Sequence, residues 1–207
     1  CRSRDHRLLQ PATAPGRAPS APGPAMGYCR LSAMRTSVIV DAAAPPEGVE
    51  GHASTLAFEL TSGRRPVIVS CGSGAPFGPE WRRAGRATAS HSTLSIEGFS
   101  SSRFAEGGRE VLTDRAPVTL SRFQPGEAGP ILHLAHGGWA LTHGLIHRRD
   151  LSLSADGRRL AGSDALVAGT AEEKARFEAL MTRSHLEGAG FAVRFHLHPD
   201  VDASLDL

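Results

Sequence analysis

From residue 36 onward, short runs of alternating apolar and polar residues recur along the chain, and this period of two constrains the fold more than any other feature. TSVIVD (36–41) is β-branched and stops before the turn-forming APPEG. STLAFELT (54–61) sets Leu56, Phe58 and Leu60 against Thr55, Ala57 and Glu59. SGRR then returns the chain into PVIVS (66–70), which predicts a hairpin. HSTLSIEG (91–98), PVTLSRF (117–123), ILHLAH (131–136), GWALTHG (138–144) and HRRDLSLS (147–154) follow at short spacing. DGRR leads into RRLAGSDALV (158–167), and FAVRFHLH (191–198) is closed by Pro199. One segment, TAEEKARFEALMTR, has a helical period instead. Thr170 and Glu173 form a capping box, and Phe177, Leu180 and Met181 share a face, so a helix is predicted near 171–182. About ten strands and one short helix predict an all-β fold of stacked antiparallel sheets, a β-sandwich or super-sandwich.

The 207 residues are 40% hydrophobic and 21% charged, enough for one well-packed domain. Twenty-three basic residues against 21 acidic give a net charge of +2, which excludes a strongly basic nucleic-acid binder. No apolar run approaches the roughly 18 residues of a membrane span, so neither nucleic acid nor a bilayer crossing is expected. Residues 1–26 are read as a separate arm rich in Pro and Ala, disordered or extended. The three cysteines, Cys1, Cys29 and Cys71, are an odd number without tight spacing, which argues against a disulfide framework. The chain opens on Cys and stops soon after its last strand, so both ends are read as cuts.

Ten histidines are many for this length. His196 and His198 are two apart on a predicted strand and share a face. That geometry can chelate a metal, although a solvated strand face gives the same pattern. His133, His143 and His147 fall on meander strands and are read as surface residues. His52 and His91 each precede a strand beside a glycine-containing loop, where a side chain can reach into a cleft from a rigid base. Between them, 71–90 reads as a long functional loop. Its Arg82, Arg83 and Arg86 carry forked N–H groups suited to carboxylates or sulfates, or else form a solvated basic face.

Two blocks, GHASTLAFELTSGRRPVIVSCGSG (51–74) and RAGRATASHSTLSIEGFSSSR (83–103), resemble the C-terminal domain of the heparinase II/III-like family of bacterial polysaccharide lyases. In that family an H-x-H-x-D-x-x-S-F-E-like strand is followed by a strand ending in D-x-G and then by an H-N-T-V-like opening. The resemblance covers 27–207. It implies a β-domain joined in cis to an N-terminal α/α toroid, a position in the cell envelope or periplasm, and an acidic, uronic acid-containing polysaccharide as partner. It also implies a metal, usually zinc, with His52 and His91 at two ligand positions. Ser70 stands where the family has its third ligand, an Asp, and the adjacent Cys71 is the substitute ligand. Glu50 occupies the place of the catalytic His, and Ser54 that of the Asp two residues after the metal-binding His.

Three functions follow as expectations. The first is a lyase β-domain acting by β-elimination, in which a base takes the proton beside a neutralised carboxylate and an acid protonates the leaving oxygen. The second is a non-catalytic β-sandwich that packs on a helical domain and forms one wall of a glycan cleft. The third is a small cupin-like metal enzyme, for which the clustered G-x5-H-x-H signal is missing. The 207 residues alone are expected to be inactive. His52 and His91 are expected to share one pocket with Cys71 and the arginines nearby.

Overall fold

The computed structural model describes residues 25–205 except 106, 108, 186 and 187. The arm expected over 1–26 therefore lies outside the described residues apart from Ala25 and Met26.

Two antiparallel sheets face each other. The first has the order β1-β2-β3-β4-β13, from β1 (Tyr28–Ala33), β2 (Thr36–Asp41), β3 (Phe58–Ser62), β4 (Arg65–Val69) and β13 (His196–Leu197). The second has the order β11-β10-β9-β8, from β8 (Val118–Gln124), β9 (Ile131–Trp139), β10 (Leu145–Leu153) and β11 (Leu160–Val167). Two small pairs flank them: β5 (Leu94–Ile96) with β12 (Phe191–Val193), and β6 (Arg103–Phe104) with β7 (Leu112–Asp114). The period of two becomes burial directly. Cys29 and Leu31 of β1, Val38 and Val40 of β2 and Phe58 of β3 meet Leu132, Leu134, Leu151 and Leu153 of β9 and β10 across the interface. Each such side chain contributes about 1.5–3 kcal/mol when fully buried. The stacked antiparallel all-β architecture is thus the one the alternation predicts.

The predicted helix is α3 (Ala171–Arg183), with both capping-box hydrogen bonds made. Phe177 packs on a second cluster of Leu94, Ile96, Trp139 and Leu145.

Several segments differ from the sequence reading, β6 and β7 among them, both given no element. Residues 28–33, given no element, form β1, because each inward residue finds a β2 partner in a six-residue register. The expected loop 71–90 contains α1 (Pro79–Gly85) and two 3₁₀ turns, Ala75–Phe77 and Thr88–Ser90. Residues 131–144, read as two strands, are the single strand β9 followed by α2 (Ala140–His143), which stops at left-handed Gly144. The run 191–198 divides between β12, which pairs with β5, and β13, which pairs with β4, because two different sheets offer free edges to it.

Candidate functional site

His52 and His91 lie on connecting segments that side chains hold rigid. Arg86 donates from Nε to the Gly51 carbonyl at 2.8 Å, and its own carbonyl accepts from Ala53 N–H at 2.9 Å. Thr88 Oγ1 donates to the Ala53 carbonyl at 2.8 Å. The 3₁₀ turn 88–90 then delivers His91, three residues ahead of β5, to the end of β4. The two imidazoles meet there, His52 Nδ1 3.3 Å from His91 Nε2, with ring centroids 5.2 Å apart. His91 Nδ1 is 3.2 Å from Ser70 Oγ.

Burial pushes the pKa of His91 down to about 4, helped by the neighbouring His52 and His196. Burial, then the Arg86 charge, lowers that of His52. Both rings are therefore neutral at neutral pH. The Gly85 backbone holds the His52 ring as a hydrogen-bond acceptor. One proton order satisfies every group: Ser70 hydroxyl to His91 Nδ1, His91 Nε2–H to His52 Nδ1, and the remaining His52 N–H to Gly85. That order engages the ring nitrogens in internal hydrogen bonds.

The pair lines one side of an open cleft of about 520 Å³, whose other walls include Tyr28, Asp41, Ser54, Phe58 and Glu59. Asp41 accepts a hydrogen bond from Ser54. Burial raises its pKa, opposed by the hydrogen bonds from Ser54 and the Ala43 backbone. Asp41 was not singled out from sequence. Its only signal is its place as the last residue of a strand whose partner segment carries His52.

The remaining expected site residues disperse. Cys71 is exposed, its Sγ 3.4 Å from His196 Nδ1, while His196 Nε2 donates to the Ala89 carbonyl at 3.0 Å. Both residues follow the end of β4, and Ser70 is the one that contacts His91. The expected trio His52, His91 and Cys71 is not assembled. Among the described residues no group of three or more His, Cys, Asp or Glu is arranged to hold a metal. The donors at the cleft do not fit zinc, since a serine hydroxyl replaces the third strong ligand. His196 is bonded to Cys71 and Ala89, while His198 lies 3.7 Å from Asp200.

The arginines are occupied. Arg82 bonds Glu50 at 2.7 Å and the Val49 carbonyl at 3.2 Å. Glu50, at the position of the family's catalytic His, is largely exposed in this ion pair. Arg83 reaches Glu110 at 3.4 Å and lies over the Phe104 ring. Arg86 is 1% exposed and bonds Gly51 and Glu110, so it is part of the scaffold rather than a free cation for substrate.

A second polar network lies in the core and includes His147, which the sequence reading placed on the surface. His136 and His147 are both fully buried, with His136 Nε2 3.2 Å from His147 Nδ1. Gly138 N–H donates to His136 Nδ1 at 3.0 Å, so His136 donates to His147, which donates to Asp164 at 2.6 Å. Arg149 grips Asp164 through two bonds of 2.7 and 2.9 Å. Its NH1 also reaches the Leu56 and Ser92 carbonyls at 2.9 and 3.1 Å. Burial alone would raise the Asp164 pKa, but the bonds from His147 and Arg149 override it and hold it at about 2. His143 is buried as well, edge-on to Phe99.

Comparison with known proteins bears on the family and the fold. The family model for the heparinase II/III-like C-terminal domain matches residues 15–207. FtsZ-localized protein C of Caulobacter vibrioides (strain NA1000 / CB15N) is 34% identical over 192 residues, which cover 88% of this chain and 31% of that protein. The chain thus spans about a third of the length of that curated relative. A solved heparinase III structure superposes with a TM-score of 0.50 at 18% identity, covering 70% of this chain and 21% of that one, a likeness of fold. The chain belongs to the heparinase II/III-like family, as a C-terminal domain of it.

Proposed function

We propose that this chain is the β-domain of a longer polysaccharide lyase-like protein and that it forms one wall of a glycan-binding cleft, a helical domain of the same polypeptide forming the other. The observation that carries this reading is the His52–His91 pair, locked and neutral beside an open cleft of about 520 Å³ in a domain of this family. A wall, rather than a complete catalytic centre, is favoured because the imidazoles serve each other and the arginines serve Glu50 and Glu110. β-Elimination of a uronate glycan needs base, acid and carboxylate neutraliser around one sugar ring.

That chemistry is the second reading, for the full-length protein alone. The favouring observation is that burial keeps both imidazoles unprotonated, the form in which an imidazole acts as a general base. Incubation of the 207 residues with heparan, alginate and hyaluronan is expected to give no ultraviolet-absorbing unsaturated product, whereas a glycan array or calorimetry should detect saccharide binding that His52→Ala weakens. Turnover by the 207 residues would overturn the wall reading. The envelope placement implied by the family likeness is part of the proposal, and a fluorescent fusion of the full-length protein should mark the cell periphery.

A further inference from the structure

The imidazole pair is built from two separate segments of chain, and one buried nitrogen of Arg149 on β10 bridges them. Arg149 Nη1 donates to the Leu56 carbonyl at 2.9 Å and to the Ser92 carbonyl at 3.1 Å. Leu56 follows His52 by four residues, and Ser92 directly follows His91. Leu56 has a φ of 64°, and its N–H donates to the Asp41 carbonyl at 2.8 Å. The same turn carries Ser54, which bonds the Asp41 carboxylate in the cleft. Ser92 is fully buried, and its hydroxyl donates to the Val69 carbonyl at 2.9 Å and accepts from His196 N–H at 3.0 Å. Val69 immediately precedes Ser70, the residue beside His91 Nδ1. Both ends of the His91–Ser70 contact are thus one residue away from a backbone group that Arg149 or Ser92 holds.

Stability does not account for an arginine at this place. Taking a guanidinium and a carboxylate out of water costs about as much as their attraction returns, so an apolar side chain of similar volume would serve the core as well. What an apolar side chain cannot do is fix the separation and direction of two carbonyl groups. The forked contact with Asp164, at 2.7 and 2.9 Å, sets the plane of the guanidinium, and His147 holds Asp164 in turn at 2.6 Å. Nη1 is thereby left aimed at Leu56 and Ser92.

We infer that Arg149, oriented by Asp164, is the positioning residue of the cleft: it clamps the backbone beside His52 and beside His91 and so sets the contact between the two imidazoles. It acts through Leu56 and Ser92 and makes no hydrogen bond to either ring. The inference deepens the glycan-wall reading and rests on it for one consequence, that saccharide binding depends on Arg149. Without the clamp each imidazole is free to turn and loses its fixed tautomer.

The test uses the 207-residue chain with nitrogen-labelled histidine and compares Arg149→Lys with Leu153→Ala. Arg149→Lys keeps the positive charge but cannot bond Asp164 and both carbonyls at once. Leu153→Ala opens a hole in the core on the same strand and controls for lost stability alone. In the unsubstituted chain the imidazole resonances should show a single tautomer for each ring, both protonated at Nε2. Arg149→Lys should average the tautomers of both rings and weaken saccharide binding about tenfold, with circular dichroism unchanged. Leu153→Ala should lower the urea midpoint and leave the tautomers and the binding as they are. Asp164→Asn, which keeps the size of its side chain, should reproduce Arg149→Lys and carries the test if that variant does not fold. Fixed tautomers that persist in a folded Arg149→Lys or Asp164→Asn chain overturn the inference, as does equal averaging in Leu153→Ala. If the unsubstituted chain binds no saccharide, the glycan-wall reading falls, and the tautomers alone decide the positioning role.

Discussion

Arg149 ties the two sheets together through one side chain. Its guanidinium is 1% exposed, pairs with Asp164 on the neighbouring strand and crosses to the Leu56 and Ser92 carbonyls, which precede β3 and β5. Leu56 itself has a φ of 64°, and Arg149 holds that unusual turn in place. Removing one partner of a buried pair strands the other, at a cost of about 3–5 kcal/mol. Arg149→Ala is therefore expected to lower the urea-unfolding free energy by about that amount, and Arg149→Lys, which loses the forked geometry, by somewhat less. The sequence contained the signal for this network. In LIHRRDLSL, Leu145, His147, Arg149, Leu151 and Leu153 fall on one face, so the residues between the leucines had to be inside. Reading each histidine by its type instead of its register sent His147 to the surface. The His52–His91 encounter has no such local signal, since 39 residues separate them and no period links them.

At the scale of elements, the α2–β10 connection and α3 depend on each other. Gly144 has a φ of 67°, and a Cβ there would run into the Glu173 carbonyl and the Phe177 N–H of α3. Gly144→Ala is expected to shift α3 and cost about 1–3 kcal/mol, seen as a lower thermal midpoint and faster amide exchange in α3. The capping box acts at the other side of the same contact, Glu173 taking the Gly169 and Thr170 N–H groups at 2.7 and 2.9 Å. Thr170→Ala should cost about 1 kcal/mol or less, because α3 carries no fully buried residue and frays without opening the main core. The capping box was legible in four residues of sequence. The strand-to-helix change at Trp139 was not, because GWALTHG alternates as well as any strand and only packing against α3 turns it into a helical step.

For the molecule as a whole, the buried imidazoles set the acid limit. Burial lowers the pKa of His91 to about 4 and holds those of His52, His136, His143 and His147 below the ordinary value. Below about pH 6.5 the unfolded chain binds protons that the folded one refuses, so the stability these residues supply is whole above that pH and is lost as pH falls toward 4. His91 alone accounts for on the order of 3 kcal/mol of that loss. Asp164, depressed to about 2, keeps its contribution until below about pH 4. Urea midpoints should hold between about pH 7.5 and 6.5 and then fall toward about pH 5, and His91→Gln should flatten that fall. What the sequence determined by itself is whatever depends on neighbours along the chain: alternation and hence two-faced strands, the α3 cap, and the family motif around 51–103. What only the tertiary structure decided is whatever depends on residues far apart. Ser70 rather than Cys71 faces His91, Arg86 is spent on the scaffold, Asp41 enters the cleft, and the histidine pair is neutral. The reason is physical: local sequence sets the direction in which a side chain leaves its strand, whereas desolvation and hydrogen-bond partners, which set its charge and its role, are supplied by chain segments tens of residues away.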